Sequence, residues 1–297
     1  MPLCVTKAPL VSIIIPTYNS SKTLLSCLRS ITTQDFQNIQ VLIMDGKSTD
    51  DTTLIAQSVA KDYTFVQYES KPDNGIYDAM NKGAATATGE WLIFMGADDE
   101  LHDHTVLSRI STILLTTDAD FVYGNAELIG DSSWAKHGTI YDGPFPLRKL
   151  FKKNICHQAV FYRRHLFTSI GNYNTRFTVC ADWDFNFRCF AKGKVQYADQ
   201  VISKFAGGGY STNVTVDDFN NESIFLLKKY FDISFFNSLL DPFDWVFYHH
   251  FLRCFSRRKY FRAAYYWILA IYHSHKKISM LRVTLGRVKG RLVKTSK

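Results

Sequence analysis

The six cysteines, at positions 4, 27, 156, 180, 189 and 254, never form a C-x-x-C pair. This argues against a zinc site or a disulfide framework and suits a reducing cytoplasm. Long apolar runs are missing too. Residues 10–15 form a run closed by Pro16, too short and without the basic lead-in of a signal peptide. The run at 263–272 has ten residues, against the roughly 20 that a membrane-spanning helix needs. No glycine turn follows the first strand. Pro16, Thr17, Tyr18 and Asn19 stand where a dinucleotide-binding fold needs G-x-G-x-x-G, and no P-loop occurs, which speaks against NAD-type and Walker-type sites. Internal repeats and low-complexity linkers are also absent.

What is present suits a folded α/β protein. Of 297 residues, 46% are apolar and 21% charged, enough for a sizeable core and too apolar for disorder. The length allows one large α/β domain or a domain with an appended region. Charge is unevenly placed. Residues 230–297 hold 13 Lys and Arg against three Asp, whereas residues 1–229 sum to −2. Body and tail therefore need separate explanations.

The first half alternates strand and helix signals. Strands are expected at 11–15, 39–44, 65–68, 91–95 and 121–123. Helices are expected between them: one capped by Ser20 or Ser21 with Leu24, Leu25, Leu28 and Ile31 on its apolar face, then 52–60, 76–87 closed by Gly89, and 105–115. Such alternation predicts a mostly parallel, Rossmann-like sheet flanked by helices. Residues 124–215 are less regular, with a strand at 159–162 and a helix near 183–191. After Asn213 the pattern is helical, aromatic first and then basic. The domain expectation is a catalytic region over 1–215, with halves at about 9–123 and 124–215, and a helical extension over 216–297.

Ligand sites in open α/β sheets lie beyond the carboxyl ends of the strands. Acidic residues collect there: Asp45 after the second strand, Asp73 and Asp78 in the connection that follows the third, and Asp98 with Asp99 after the fourth. Adjacent carboxylates at the end of a buried strand repel unless a cation shares them. A divalent metal with a nucleotide diphosphate explains the set, since Mg²⁺ or Mn²⁺ takes one or two carboxylates plus phosphate oxygens. The plainer alternative is that Asp98, Asp99 and Glu100 cap the next helix.

Four fragments, VSIIIPTYNS, VLIMDGKSTDDT, KPDNGIYDAMNKGAATATGEWLIFMGADDE and CADWDF, together resemble the family 2 glycosyltransferases of the GT-A fold, over about residues 9–210. The resemblance implies inverting transfer from a nucleotide sugar, usually UDP-linked. It implies that Pro16, Thr17, Tyr18 and Asn19 line the base pocket and that Asp45 accepts a hydrogen bond from the base. Lys71, Asp73 and Gly75 would border the nucleotide, and Asp78 and Asn81 would hold the donor. Asp98 would carry Mn²⁺ or Mg²⁺, with Asp99 sharing the metal or reaching ribose or sugar. Two departures stand out. Gly96 occupies the place of the first aspartate of the D-x-D motif, and Gly46 that of a frequent second aspartate.

An acceptor hydroxyl must lose its proton as it attacks, and a positioned carboxylate can take it. The resemblance points to Asp182, with Ala181 replacing a frequent glutamate beside it and Asp184 as a weaker alternative. A helix cap is the ordinary role for Asp182. Trp183 would flank the acceptor or belong to the core, and His157 with Gln158 falls on the acceptor side. Arg163 and Arg164 read best as a solvated turn, His102 and His104 as surface residues. Gly207, Gly208 and Gly209 resemble the family's loop over the donor phosphates.

In the tail, Phe231, Phe235, Phe236, Phe243, Trp245, Phe247, Tyr248, Phe251 and Phe255 crowd together. Leu281, Leu285, Val288 and Leu292 then recur at helical spacing among basic residues. That pattern fits a helix in an anionic membrane surface, or else a helical cap on the catalytic region. No nucleic-acid module accompanies it. The expected setting is the cytoplasmic face of a bacterial plasma membrane, with a polyprenyl-diphosphate-linked or other glycan acceptor in O-antigen, capsule or exopolysaccharide assembly. The rivals are a non-catalytic binding protein of the same fold, suggested by Gly96 and Ala181, and a nucleotidyltransferase, which lacks its glycine-rich basic loop here.

Overall fold

The computed structural model describes residues 8–130, 136–207, 218–231 and 259–272, with 247–248, 251–252 and 254–255 between the last two stretches. The chain forms two compact units. One comprises 1–145 and 154–223, and the other 146–153 and 224–297.

In the first unit β1 (Val11–Thr17), β2 (Ile39–Asp45), β3 (Val66–Ser70) and β4 (Trp91–Phe94) lie parallel in the order β3-β2-β1-β4. Every residue of β1 and β2 is buried, so the sheet is covered on both faces there, and the two polar side chains inside these strands satisfy each other, Ser12 Oγ donating to Gln40 Oε1 at 2.7 Å. The connecting helices are α1 (Leu24–Thr32), α2 (Thr52–Asp62) and α3 (Ile76–Thr86). Next in the chain come β5 (Glu100–Leu101), α4 (Val106–Leu114), β6 (Phe121–Ile129) and β7 (Ile140–Tyr141). After α5 (Leu147–Leu150), which belongs to the other unit, follow a 3-10 turn (His157–Ala159), β8 (Val160–Arg163), α6 (Leu166–Ser169), α7 (Ala181–Lys192) and β9 (Val195–Ala206). Beyond β4 the sheet is mixed: β8 is antiparallel to β4 and β6, β6 is parallel to β9, and β5 is antiparallel to β9. The last described helices are α8 (Phe219–Phe231) and α9 (Tyr260–Tyr272).

Several local expectations change. Ser20 and Ser21 do not cap α1. The Ser20 carbonyl accepts bonds from Thr23 and Leu24 in a preceding turn, and Thr23 makes no side-chain cap. α7 begins at Ala181, which puts Asp182 inside its first turn. β9 was not anticipated, because most of its residues are only half-buried and Asp199 with Gln200 interrupts the apolar pattern. β6 runs six residues past Tyr123. Gly124 hides that continuation, and it is required there: a Cβ would sit 2.6 Å from the Gln200 carbonyl on β9.

Candidate active site

A cleft of about 920 Å³ opens beyond the carboxyl ends of β1, β2 and β4. Pro16, Thr17, Tyr18 and Asn19 form one wall, Gly46 and residues 73–79 another, and Gly96, Ala97 and Asp98 a third. Four carboxylates (Asp50, Asp73, Asp78 and Asp98) face one ammonium, Lys22, among the described lining residues. The N-terminus of α3, with Gly75 as its cap at φ +109°, also lines the cleft and presents its positive end.

The loops that shape this cleft hold one another. Asn19, in the left-handed region at φ +49°, donates its N–H to Ser48 Oγ and accepts the Thr49 N–H at 2.8 Å. Asp45 is buried behind Gly46. Its carboxylate accepts the Ser48 and Ser70 hydroxyls and, at 3.1 Å, that of Tyr68. Burial alone would raise its pKa, but these donors together hold it below the ordinary value. A Cβ at Gly46 would run into Asp73 Oδ2, so the missing second aspartate makes room for Asp73. Asp73 accepts the Gly75 N–H at 2.9 Å. Asp78 accepts Lys82 Nζ and the Asn74 N–H, which lowers its pKa, chiefly through Lys82. Asn81 pairs both its amide atoms with the Tyr173 backbone at 3.0 Å, and Lys71 pairs with Glu69.

Asp98 and Asp99 part company. Asp98 is exposed in the cleft, whereas Asp99 is 2% exposed and accepts three donors: Gln158 Nε2 at 2.8 Å and the N–H groups of Gly96 and Ala206. Burial, with Asp98 adding to it, pushes the Asp99 carboxyl up to about 6. A Cβ at Gly96 would stand 2.6 Å from Asp98 Oδ1 and 2.7 Å from Asp99 Oδ2, so glycine is what lets both carboxylates fold back over the strand end.

Asp182 is buried beside the cleft, and its bonds are not those of a helix cap. Oδ1 lies 2.8 Å from the Tyr77 hydroxyl, and Oδ2 accepts Asn154 Nδ2 at 2.6 Å. His157 Nδ1 stands 3.5 Å from Oδ2. Burial lowers the His157 pKa, but Asp182, with Asp99 and Asp98 behind it, outweighs that and raises it. Tyr77 lines the cleft itself, and its single proton can go to Asp182 or to the Val179 carbonyl at 2.6 Å. Asn154 Oδ1 in turn accepts Asn186 Nδ2, and Asn186 Oδ1 accepts the Tyr162 hydroxyl. Sequence reading missed Tyr77, Asn154 and Asn186. Only Tyr77 had a signal, lying inside the fragment KPDNGIYDAM. Asp184 is tied to Arg188, which also binds three backbone carbonyls, and Trp183 packs on Phe219 at 5.2 Å.

Other residues fall away from the cleft. Arg163 lies at the amino end of β4, over the Trp91 ring and paired with Glu90, and Arg164 bonds the Gly89 carbonyl. His102 bridges Asp103 and Glu127. Gly207 closes β9 onto the Ile129 carbonyl, while Gly208 and Gly209, like the segment 281–292, lie outside the described residues.

The sequence pattern of glycosyl transferase family 2 matches residues 12–170, over half of the chain. The chain belongs to glycosyl transferase family 2. A PGL/p-HBAD biosynthesis glycosyltransferase of Mycobacterium tuberculosis is 42% identical to this family 2 chain over 214 residues, 71% of this chain and 82% of the relative. Staphylococcus aureus TarS 1–349, solved with UDP-GlcNAc, superposes with a TM-score of 0.64 over 88% of this chain and 79% of that one, at 18% identity. The mannosyltransferase PcManGT of Pyrobaculum calidifontis, solved with GDP-Man and Mn²⁺, gives 0.53 over 95% and 81%, at 16% identity. At these identities the likeness concerns the fold, which is GT-A.

The glycosyltransferase offers a hard divalent cation at most one cleft carboxylate of the adjacent pair Asp98 and Asp99. Among the described residues no three His, Cys, Asp or Glu side chains cluster as a self-sufficient metal site. Mg²⁺ and Mn²⁺ need only one or two carboxylates when substrate phosphates complete the shell. Of the adjacent pair, Asp98 is the one that would hold such a cation, being open to the cleft, while the Asp99 oxygens already accept three N–H donors.

Proposed function

We propose that this glycosyltransferase moves a sugar from a UDP-sugar, with inversion, to a hydroxyl of a polyprenyl-diphosphate-linked glycan. The observation that carries the reading is the acid-lined cleft. Four lining carboxylates, of which Lys82 offsets only Asp78, disfavour a bare diphosphate, and a divalent cation at Asp98 would let an anionic donor bind. Mn²⁺ or Mg²⁺ bound there would neutralise the departing diphosphate.

The chain's own residues supply the rest. Tyr18 offers an aromatic face to the base from the cleft wall, and Asp73, Gly75 and Asp78 border the nucleotide from the α3 side. The start of α3 lines the same space, where its dipole favours an anion. Asp182 takes the proton of the acceptor hydroxyl as the oxygen attacks the anomeric carbon from the face opposite the leaving group. Tyr77 and Asn154 hold its two oxygens, and His157 beside it stabilises the charged form. The setting is O-antigen, capsule or exopolysaccharide assembly at the inner face of a bacterial plasma membrane, with an anionic lipid surface as partner and no nucleic acid. No described helix is long and apolar enough to cross a bilayer.

The test is a panel of UDP-, GDP- and dTDP-sugars with Mn²⁺ or with EDTA, read by nucleotide release and thermal shift. Stabilisation and release by one UDP-sugar, lost in EDTA, is the expected result. A folded chain that answers to no donor would return weight to the non-catalytic reading.

A further inference from the structure

The two compact units divide the chain's charge. Residues 1–145 and 154–223 hold 24 Asp and Glu against 16 Lys and Arg, a net −8. Residues 146–153 and 224–297 hold 19 Lys and Arg against three Asp, a net +16. Two sequence-distant stretches meet in that basic unit. One is the seven-residue piece Leu147–Lys153, LRKLFKK, whose Phe151 ring packs 5.5 Å from Phe231. The other is the C-terminal region, which carries no acid after Asp244 and 13 Lys and Arg.

α9 gives this charge an apolar partner. Ala263, Leu269 and Ala270 are buried, yet Phe261 is 96% exposed, Tyr265 53% and Ile268 61%. Positions 261, 265 and 268 fall on one stripe of a helix. One exposed hydrophobe is ordinary, but three large ones in a row mark a contact surface. Lys259 and Arg262 are exposed beside the stripe. At about 1.5 Å per residue the 13-residue helix is roughly 20 Å long, short of a hydrocarbon core of about 30 Å, so the described helix is too short to span one.

We infer that the Phe261, Tyr265 and Ile268 face of α9 docks on an anionic lipid bilayer. The aromatic and aliphatic side chains enter the headgroup boundary while the basic unit is attracted to the charged surface. Charge selects this occupant. A second copy docking through the same unit would bring +16 against +16, and a nucleic acid would use the charge but offer nothing to Ile268. The inference deepens the lipid-linked acceptor reading by naming the surface, and it is tested without donor or acceptor.

The experiment is flotation of the full-length chain with phosphatidylcholine vesicles, with and without phosphatidylglycerol. Binding to the phosphatidylglycerol vesicles alone is expected, lost in high salt and reduced about tenfold or more in Phe261→Ser/Tyr265→Ser/Ile268→Ser with melting temperature unchanged. Three results overturn it: a variant that floats like the parent, a parent that binds single-stranded RNA but no vesicle, or a parent dimer that the substitutions split. A chain that floats but transfers no sugar removes the acceptor reading and leaves this inference standing. One that transfers but never floats does the reverse.

Discussion

Phe94, Tyr162, Phe167, Tyr173 and Phe185 of the catalytic unit interlock ring to ring and are all buried, whereas α9 in the other unit leaves Phe261 almost wholly exposed. Charge differs in the same way. The acids of the first unit converge on a cleft or pair one by one with nearby donors, while the other unit carries an excess of positive charge. On the proposed reading, the first unit serves a small ligand and the second an extended surface. Activity and surface binding should therefore respond to different substitutions.

The sharpest test is Asp182→Asn. Turnover should fall by about 10²- to 10⁴-fold with donor thermal shift and vesicle flotation unchanged, and near-normal turnover would remove Asp182 as the base. Tyr77→Phe and Asn154→Leu come next. Each deletes one bond to a buried carboxylate, of roughly 1.5–3 kcal/mol, so kcat should fall about 10- to 100-fold while KM for the donor moves little. If KM carries the loss, Tyr77 serves the donor and not Asp182.

The pH response sharpens the comparison further. The folded-state pKa of His157 lies above its ordinary 6.5, so its pairing with Asp182 stabilises the fold fully below 6.5 and is lost as pH rises through the raised value. In Asp182→Asn the largest opposing influence, burial, takes over, and the His157 titration followed by NMR should move down. A midpoint that stays put would separate the two residues. The smallest effects concern packing. Gly89→Ala would place a Cβ 2.6 Å from the Ser12 nitrogen and should cost about 1–3 kcal/mol, whereas Phe261→Ser, on the open stripe, should stay within about 0.5 kcal/mol in thermal melts.

The parallel core and the cleft wall were legible because β1 and β2 are mostly apolar runs, each with one polar residue (Ser12, Gln40), that end in polar clusters. β9 was not legible, since a half-buried strand interrupted by Asp199 and Gln200 carries neither an alternating nor a continuous pattern. The carboxylates could be found but not told apart. Asp98 and Asp99 are neighbours in sequence, and only their partners show one open to the cleft and the other held by Gln158, Gly96 and Ala206. Asn154 offered no signal at all, because its task depends on a residue 28 positions away.

By itself the sequence determined the family, the α/β class, the edge of the sheet where ligands gather, and the basic excess of the tail. The family follows from the resemblance of four fragments, and the rest from local order: apolar period, turn chemistry and residue counts. The tertiary structure alone decided which carboxylate faces the cleft, that Tyr77 and Asn154 hold Asp182, that LRKLFKK joins the C-terminal unit, and which stripe of α9 stays open. Each of these depends on residues brought together across many positions of chain, where partner and burial, not residue type, set what a side chain can do.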